Sequence, residues 1–141
     1  MRRLRWRWRS DNHSVAQRMS PIFPPLVEHL PGLFVSRGET AYLVGGVVRD
    51  ALAGRDTSDV DVAVAGDTVA IGDEVVAALG GTAVLMDATR KIVRVVPASR
   101  DSGAVLDLTP LRGSIEQDLA LRDFTVDAMA IPIADSIHNG N

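Results

Sequence analysis

Apolar and polar positions along the chain follow two periods, one typical of strands and one typical of helices. Between Asp59 and Ala65 they alternate strictly, so that three valines would lie on one face of a strand and Asp59, Asp61 and Ala63 on the other. The periodicity of the rest of the chain predicts a short helix ending near Pro31-Gly32, a strand 41–44, a helix 46–52, the strand 59–65 and a helix ending at Gly80-Gly81. Three further strands are predicted at 82–86, 91–97 and 104–109. A helical turn follows Ser114, and the tail 122–131 is predicted to be first helical and then a closing strand. This order is typical of an α/β fold with a small mixed sheet and helices packed on one face.

Two helix starts carry recognisable capping residues. Asp67 or Thr68 can cap the helix that ends at the double glycine, because a short side-chain oxygen there accepts from the first free backbone amides. Ser114 followed three residues later by Gln117 forms a capping box.

Composition bounds the possible chemistry. A length of 141 residues suits a single domain, and 46% apolar residues are enough for a core. The absence of cysteine excludes disulfides and thiolate metal sites, so any metal must bind oxygen or histidine, which favours Mg²⁺ or Mn²⁺ over structural zinc. No apolar run is long enough to cross a bilayer, so we expect no membrane partner.

Charge is distributed unevenly along the chain. The net charge is −3, yet the arginines among the first nine residues contribute +5, which leaves −8 on the remainder. We expect residues 1–20 to form a basic, flexible arm and residues 21–141 to form the folded domain. The interleaved Arg5-Trp6-Arg7-Trp8-Arg9 could bind RNA through phosphate contacts and stacking. A disordered tail, a misassigned translation start and a transit peptide are alternatives for this segment. A secretory signal is disfavoured because no apolar region follows the arginines, and we expect a cytoplasmic protein.

The most informative stretch is YLVGGVVRDALAGRDTSDVD, from Tyr42 to Asp61. Asp59 and Asp61 are spaced i, i+2 on a predicted strand, so both point to the same face. Adjacent carboxylates are costly unless a cation neutralises them, and a pair of divalent ions does so. The Gly45-Gly46 turn can receive the phosphates that such ions hold. Alone, each feature is common in turns and on solvated surfaces, but their order and strand context favour nucleotidyl transfer.

A third carboxylate is predicted on another strand. Asp107 lies between Leu106 and Leu108 and would face away from both. If its strand lies beside the strand 59–65, Asp107 joins Asp59 and Asp61 in one acidic cluster, and three carboxylates can hold two Mg²⁺ ions about 3.5–4 Å apart. An exposed strand carboxylate is the alternative reading.

Two motifs resemble a known family. GGVVRDALAGRDTSDVDVAVAGD is similar to the signature of class II tRNA nucleotidyltransferases (CCA-adding enzymes) and bacterial poly(A) polymerases, and SIEQDLALRDFTVDAMA resembles their Arg-Asp-Phe-Thr-(Ile/Val)-Asn-Ala-Met motif. VLDLTPLRG between them matches the place of the family's third carboxylate. The resemblance covers residues 40 to 131 and implies a polymerase-β-like nucleotidyltransferase head. It also implies transfer of AMP or CMP from ATP or CTP to a tRNA or RNA 3′-hydroxyl, with release of pyrophosphate.

The resemblance also implies site residues. The metal ligands would be Asp59, Asp61 and Asp107, holding two Mg²⁺ ions or, as a substitute, Mn²⁺. The nucleotide-binding residues would be the loop that receives the triphosphate, its supporting carboxylate, and the residues of the second motif: Gly45, Gly46, Arg49, Asp50, Arg122, Asp123 and Asp127.

The chain departs from the family at several points. Leu121 stands where the family often has a second arginine, Asp127 stands for its asparagine, and the His-Gly-Thr stretch is missing. The family's neck, body and tail regions have no counterpart, so we expect an incomplete form that a second chain could complete. CCA addition, A addition and poly(A) synthesis stay open.

Other functions remain as alternatives. The departures at Leu121 and Asp127 would suit a non-catalytic module that binds nucleotide or RNA. A toxin-type nucleotidyltransferase is disfavoured because Gly45-Gly46 replaces the Gly-Ser typical of that branch. A dinucleotide-binding domain is disfavoured because no Gly-x-Gly-x-x-Gly follows the first strand.

Overall fold

The structure is a computed structural model that describes residues 23–37, 40–98, 103–122 and 128–136. The strands are β1 Ala41–Val44, β2 Asp59–Val64, β3 Thr82–Asp87, β4 Ile92–Val96, β5 Val105–Pro110 and β6 Ala130–Pro132. The α-helices are α1 Leu30–Arg37, α2 Gly46–Leu52, α3 Thr68–Leu79 and α4 Ile115–Ala120, with 3-10 turns at Pro25–His29 and Ile133–Asp135. The predicted arm 1–20, Asp123 and Asp127 lie outside the described residues.

The strands form one mixed sheet in the order β3-β4-β5-β2-β1-β6. The central pair β2 and β5 is parallel, and every other neighbouring pair is antiparallel. The chain crosses from β2 to β5 through α3 and the β3–β4 hairpin, which is why a parallel pair can form between strands distant in sequence. The predicted small mixed sheet is confirmed.

Helices α2 and α3 contact the sheet and bury its apolar face. Val60, Val62 and Val64 of β2 are fully buried and join one core with side chains of β1, β4, β5 and both helices. Helix α3 approaches closely at Gly72, where an added Cβ would lie 2.9 Å from Val93 Cγ1. The intervening residues of β2 and β5 therefore present the other face of the sheet, where the acidic residues lie.

The capping predictions are confirmed. The Asp67 carboxylate accepts from the amides of Val69 at 3.0 Å and Ala70 at 3.4 Å at the start of α3. Ser114 Oγ accepts from the Gln117 amide at 3.1 Å, while Gln117 Oε1 accepts from the Ser114 amide at 2.8 Å. No helix in the described ranges is long and apolar enough to cross a membrane.

One predicted helix end is wrong. The sequence predicts that the first helix stops near Pro31-Gly32, but a 3-10 turn runs directly into α1, which begins at Leu30 and continues through both residues. Pro31 is the second residue of α1, where the backbone amide has no partner inside the helix and its loss costs little. The strand predicted from Lys91 begins one residue later, because Lys91 has φ 59 and belongs to the turn.

Candidate active site

Parallel pairing of β2 with β5 brings the predicted carboxylates together. Asp61 is the register partner of Asp107, and Asp59 lies two residues before Asp61 on the same face of β2. The alternate residues of both strands, including Val60 and Leu106, are fully buried on the opposite face. Because neighbouring strands lie about 4.8 Å apart, Asp61 and Asp107 are side by side on the open face of the sheet.

The Asp61 carboxyl has a raised pKa. Its pKa rises from 3.8 to about 6, mainly through burial and also through the negative charges of Asp107 and Asp59, while Arg122 and Arg94 oppose the change. A buried carboxyl beside other carboxylates favours its neutral form until a cation compensates the charge. The surroundings of Asp61 are therefore suited to binding a cation.

Asp107 already has a cationic partner that the sequence analysis missed. Arg94 Nε donates to Asp107 Oδ1 at 2.8 Å and Arg94 Nη2 donates to Asp107 Oδ2 at 3.0 Å. This bidentate ion pair raises the pKa of Arg94 further above its ordinary value. The available signal was the run Val93-Arg94-Val95, in which an arginine alternates with two buried valines. Such a position faces the same side as the carboxylates whenever β4 pairs with β5.

The double glycine forms the turn between β1 and α2. Gly45 has φ 73, a conformation that strongly favours glycine, and its amide donates to the Met129 carbonyl at 3.1 Å. A Cβ added to Gly45 would lie 3.7 Å from Arg122 Nη1 and 3.8 Å from Asp61 Oδ2. The turn therefore brings backbone, a guanidinium and a carboxylate into one small space.

Arg49 and Asp50 lie on α2 beside this turn. Arg49 Nε donates to Asp50 Oδ1 at 3.2 Å, which forms a local ion pair on this helix. A Cβ added to Gly46 would lie 3.2 Å from Arg49 Nη2. The Arg49 guanidinium thus lies over the start of α2, close to the turn.

Asp118 is a second residue that the sequence analysis missed. Its side chain is only 3% exposed and accepts from the Arg112 amide at 3.0 Å and from Arg122 Nη2 at 3.4 Å. Arg122 Nε is buried without a hydrogen-bond partner among the described residues. The signal was the i, i+4 spacing of Asp118 and Arg122, which places them on one helical face. Asp118 therefore directs Arg122 toward Gly45 and Asp61.

The family described as the Poly A polymerase head domain matches residues 41–139, a range that includes all six described strands and the carboxylates Asp59, Asp61 and Asp107. The chain belongs to this family. Its described part shows the family's head as a six-stranded mixed sheet with helices α2 and α3 against it.

Relatives of this head domain are tRNA nucleotidyltransferases. The CC-adding tRNA nucleotidyltransferase of Geobacter sulfurreducens is 40% identical over 114 residues, 80% of this chain and 26% of that protein. The A-adding tRNA nucleotidyltransferase of Aquifex aeolicus is 37% identical over 106 residues, 66% of this chain and 12% of that protein. The Thermotoga maritima CCA-adding enzyme complexed with tRNA superposes with a TM-score of 0.69 at 27% identity, over 84% of this chain and 29% of that one. The chain thus spans between 12% and 29% of the length of these three proteins.

The acidic residues of this head differ in how well they fit divalent ions. Among the described residues, no three acidic or histidine side chains are already gathered as a set of metal ligands. Asp59 and Asp61 offer carboxylate oxygens, the donor type that Mg²⁺ and Mn²⁺ prefer, and the burial of Asp61 favours a cation there. Both Asp107 oxygens accept hydrogen bonds from Arg94. Asp59 and Asp61 therefore fit divalent ions, and Asp107 fits them once Arg94 is released.

Proposed function

We propose that this head domain transfers a nucleotidyl group from ATP or CTP to the 3′-hydroxyl of a tRNA or other RNA, with release of pyrophosphate. The observation that supports the proposal best is the register pairing of Asp61 with Asp107, with Asp59 on the same face and the Gly45 turn beside Asp61. Solved structures with the same fold include a CCA-adding enzyme complexed with tRNA and another with CTP, the latter at 27% identity and a TM-score of 0.68.

The carboxylates of the open face would hold two Mg²⁺ ions, with Mn²⁺ as a substitute. When bound, such ions lower the pKa of an attacking hydroxyl and neutralise charge on a triphosphate and its leaving group. Asp59 and Asp61 would bind them directly through strand positions fixed by the buried valines between and beside them. Asp107 would be the third ligand, held in register with Asp61 by five further backbone pairs along β2 and β5.

The Gly45 turn and its neighbouring guanidinium groups would bind the triphosphate. Glycine at positions 45 and 46 lets the backbone approach phosphate oxygens closely, and Arg122 Nη1 lies near the space that a Cβ on Gly45 would fill. Arg49 would add a second cation over the same turn. Asp123 and Asp127 complete the proposed nucleotide site, although both lie outside the described residues. Arg122 supplies directional donors for phosphate or ribose oxygens.

The proposal extends to protein beyond this head. Because the chain spans 26% of the Geobacter sulfurreducens relative, we propose that base selection and the grip on RNA depend on additional structure, on the same polypeptide or on a second chain. CCA addition, A addition and poly(A) synthesis would differ in that additional structure. A cytoplasmic location is part of the proposal.

Calorimetric binding of ATP, CTP, GTP and UTP, with and without Mg²⁺, tests the proposal. We expect Mg²⁺-dependent binding with similar affinity for all four bases, because the proposed site would contact phosphate rather than base. Binding that does not need Mg²⁺ would favour the alternative, a non-catalytic nucleotide-binding module, for which the bidentate engagement of Asp107 by Arg94 is the specific supporting observation. Absence of binding to all four would contradict nucleotide recognition by this head.

Gly45→Ala separates backbone strain from site chemistry. Gly45 has φ 73 and ψ −137, a conformation that only glycine adopts readily, so alanine there should lower the free energy of unfolding by about 2–3 kcal/mol; alanine at Gly54, with φ 68, should lower it by about 1 kcal/mol. Only Gly45 borders Arg122 and Asp61, whereas a Cβ on Gly54 would meet nothing within 4 Å. We expect Gly45→Ala to weaken Mg²⁺-ATP binding by about tenfold and Gly54→Ala to leave it unchanged. Urea unfolding measures the change in stability and calorimetry measures the change in Mg²⁺-ATP binding. Equal losses of binding in the two variants would show that the Gly45 turn is not part of the nucleotide site.

A further inference from the structure

A row of register partners crosses four strands on the open face of the sheet. From β3 to β2 the row contains Val84, Arg94, Asp107 and Asp61, each paired with the next. Val84 is 46% exposed, so the Arg94 side of the row opens to solvent while Asp61 lies deeper. Within this row Arg94 therefore lies on the solvent side of Asp107 and Asp61.

Arg94 uses both oxygens of the carboxylate that it contacts. The two N···O distances of 2.8 and 3.0 Å define a bidentate pair, and the side chains of Arg94 and Asp107 are 42% and 20% exposed. A divalent ion that binds Asp107 needs at least one of the same oxygens, and it is repelled by a guanidinium about 4 Å away. The metal and Arg94 therefore compete for Asp107.

We propose that Arg94 is a displaceable counter-ion, which occupies Asp107 in the metal-free head and yields that carboxylate when a divalent ion binds at Asp61 and Asp107. The inference rests on the metal role proposed above for these carboxylates. In the metal-free state Arg94 neutralises one of three carboxylates that would otherwise repel each other on one face. The free energy of the ion pair then opposes metal binding, so the intact protein binds metal more weakly than its carboxylates alone would allow.

Arg94→Gln tests the competition directly. We expect the dissociation constant for Mn²⁺, measured without nucleotide from the electron paramagnetic resonance signal of the free ion, to fall by about tenfold in this variant. Arg90→Gln is the matched control, because it removes the same charge from the β3–β4 turn. Arg90 Nε lies 3.9 Å from Asp87 Oδ2, and the Arg90 side chain is 78% exposed. The Arg90→Gln variant should therefore keep the dissociation constant for Mn²⁺ within about twofold of its original value. Thermal unfolding of both variants establishes that each is folded.

A second measurement follows Arg94 itself. In the metal-free protein the paired Nε–H of Arg94 should give a protected side-chain NMR resonance, assigned by its loss in Arg94→Gln. Saturating Mg²⁺ should shift this resonance or broaden it by exchange with water.

Two outcomes of the Mn²⁺ measurement would overturn the proposal. Unchanged Mn²⁺ binding in Arg94→Gln would mean that Arg94 does not compete with the metal, and weaker binding would assign Arg94 a positioning role instead. Asp61→Asn distinguishes the two levels of inference. If Asp61→Asn binds Mn²⁺ as tightly as the original protein does, the proposed metal site itself fails. If Asp61→Asn loses Mn²⁺ binding while Arg94→Gln keeps the original dissociation constant, only the role of Arg94 is overturned.

Discussion

Asp61→Asn is expected to stabilise the metal-free protein at pH 7.5 by about 2 kcal/mol while reducing Mg²⁺-dependent ATP binding more than a hundredfold. The stabilisation follows from the raised pKa of Asp61, about 6 against an ordinary 3.8, which shows that the charged carboxylate is disfavoured in the folded state. An amide of the same shape carries no charge and removes that cost. The loss of binding follows because an amide is a poor ligand for a divalent ion compared with a carboxylate.

The pH dependence has a definite sign. Since the pKa of Asp61 is raised in the folded state, the folded protein holds the carboxyl proton of Asp61 more tightly than the unfolded chain does. The contribution of Asp61 to the free energy of unfolding is therefore fully present below pH 3.8 and is lost as the pH rises through about 6. The advantage of Asp61→Asn should therefore be small at pH 4 and complete above pH 6.5. Urea unfolding at both pH values checks this, with Asp73→Asn, an exposed position on α3, as the control. A variant less stable than the original at pH 7.5 would show that Asp61 is held by favourable contacts instead.

Asp118→Asn is expected to lower the free energy of unfolding by about 2–3 kcal/mol and to weaken Mg²⁺-ATP binding by about tenfold. Asp118 is 3% exposed and accepts from the amide and side chain of Arg112 and from Arg122. Asparagine replaces one acceptor oxygen with a donor group that would face a guanidinium or an amide. Both the buried carboxylate contacts and the direction of Arg122 would be lost.

A double-mutant cycle shows whether Asp118 acts on nucleotide binding through Arg122. If it does, Asp118→Asn should weaken Mg²⁺-ATP binding in the original protein but have no further effect in an Arg122→Met background. The stability loss should persist in that background in part, because the contacts with Arg112 remain. Additive effects on binding would mean that Asp118 influences the site by a route other than Arg122.

Local pattern predicted much of the fold. β1 and α2 have the predicted bounds, and the valine alternation of β2 corresponds to its buried face. These features depend on residues within one element, so periodicity and capping residues are sufficient to find them. The error at Pro31 came from the same local rules. A proline ends a helix when it lies in the interior, but the sequence did not show that α1 begins only at Leu30, one residue before it.

The candidate site was predicted less completely. The acidic residues and the glycine turn are recognisable in sequence because charge and flexibility are properties of the residues themselves. Arg94 was missed because its importance depends on β4 pairing with β5 so that it lies opposite Asp107. Asp118 was missed because its i, i+4 spacing from Arg122 does not reveal that its carboxylate is buried between Arg112 and Arg122.

The sequence by itself determined the order of elements, the glycine turn before α2 and the shared face of Asp59 and Asp61, since each depends only on near neighbours in the chain. Only the tertiary structure decided that β5 lies parallel to β2 with Asp107 opposite Asp61, that Arg94 occupies Asp107, and that Arg122 lies beside Gly45. Strand neighbours and register are set by contacts between residues dozens of positions apart. The free energy of those contacts comes from burying the shared core, and the apolar periodicity of one element does not specify which other element it packs against.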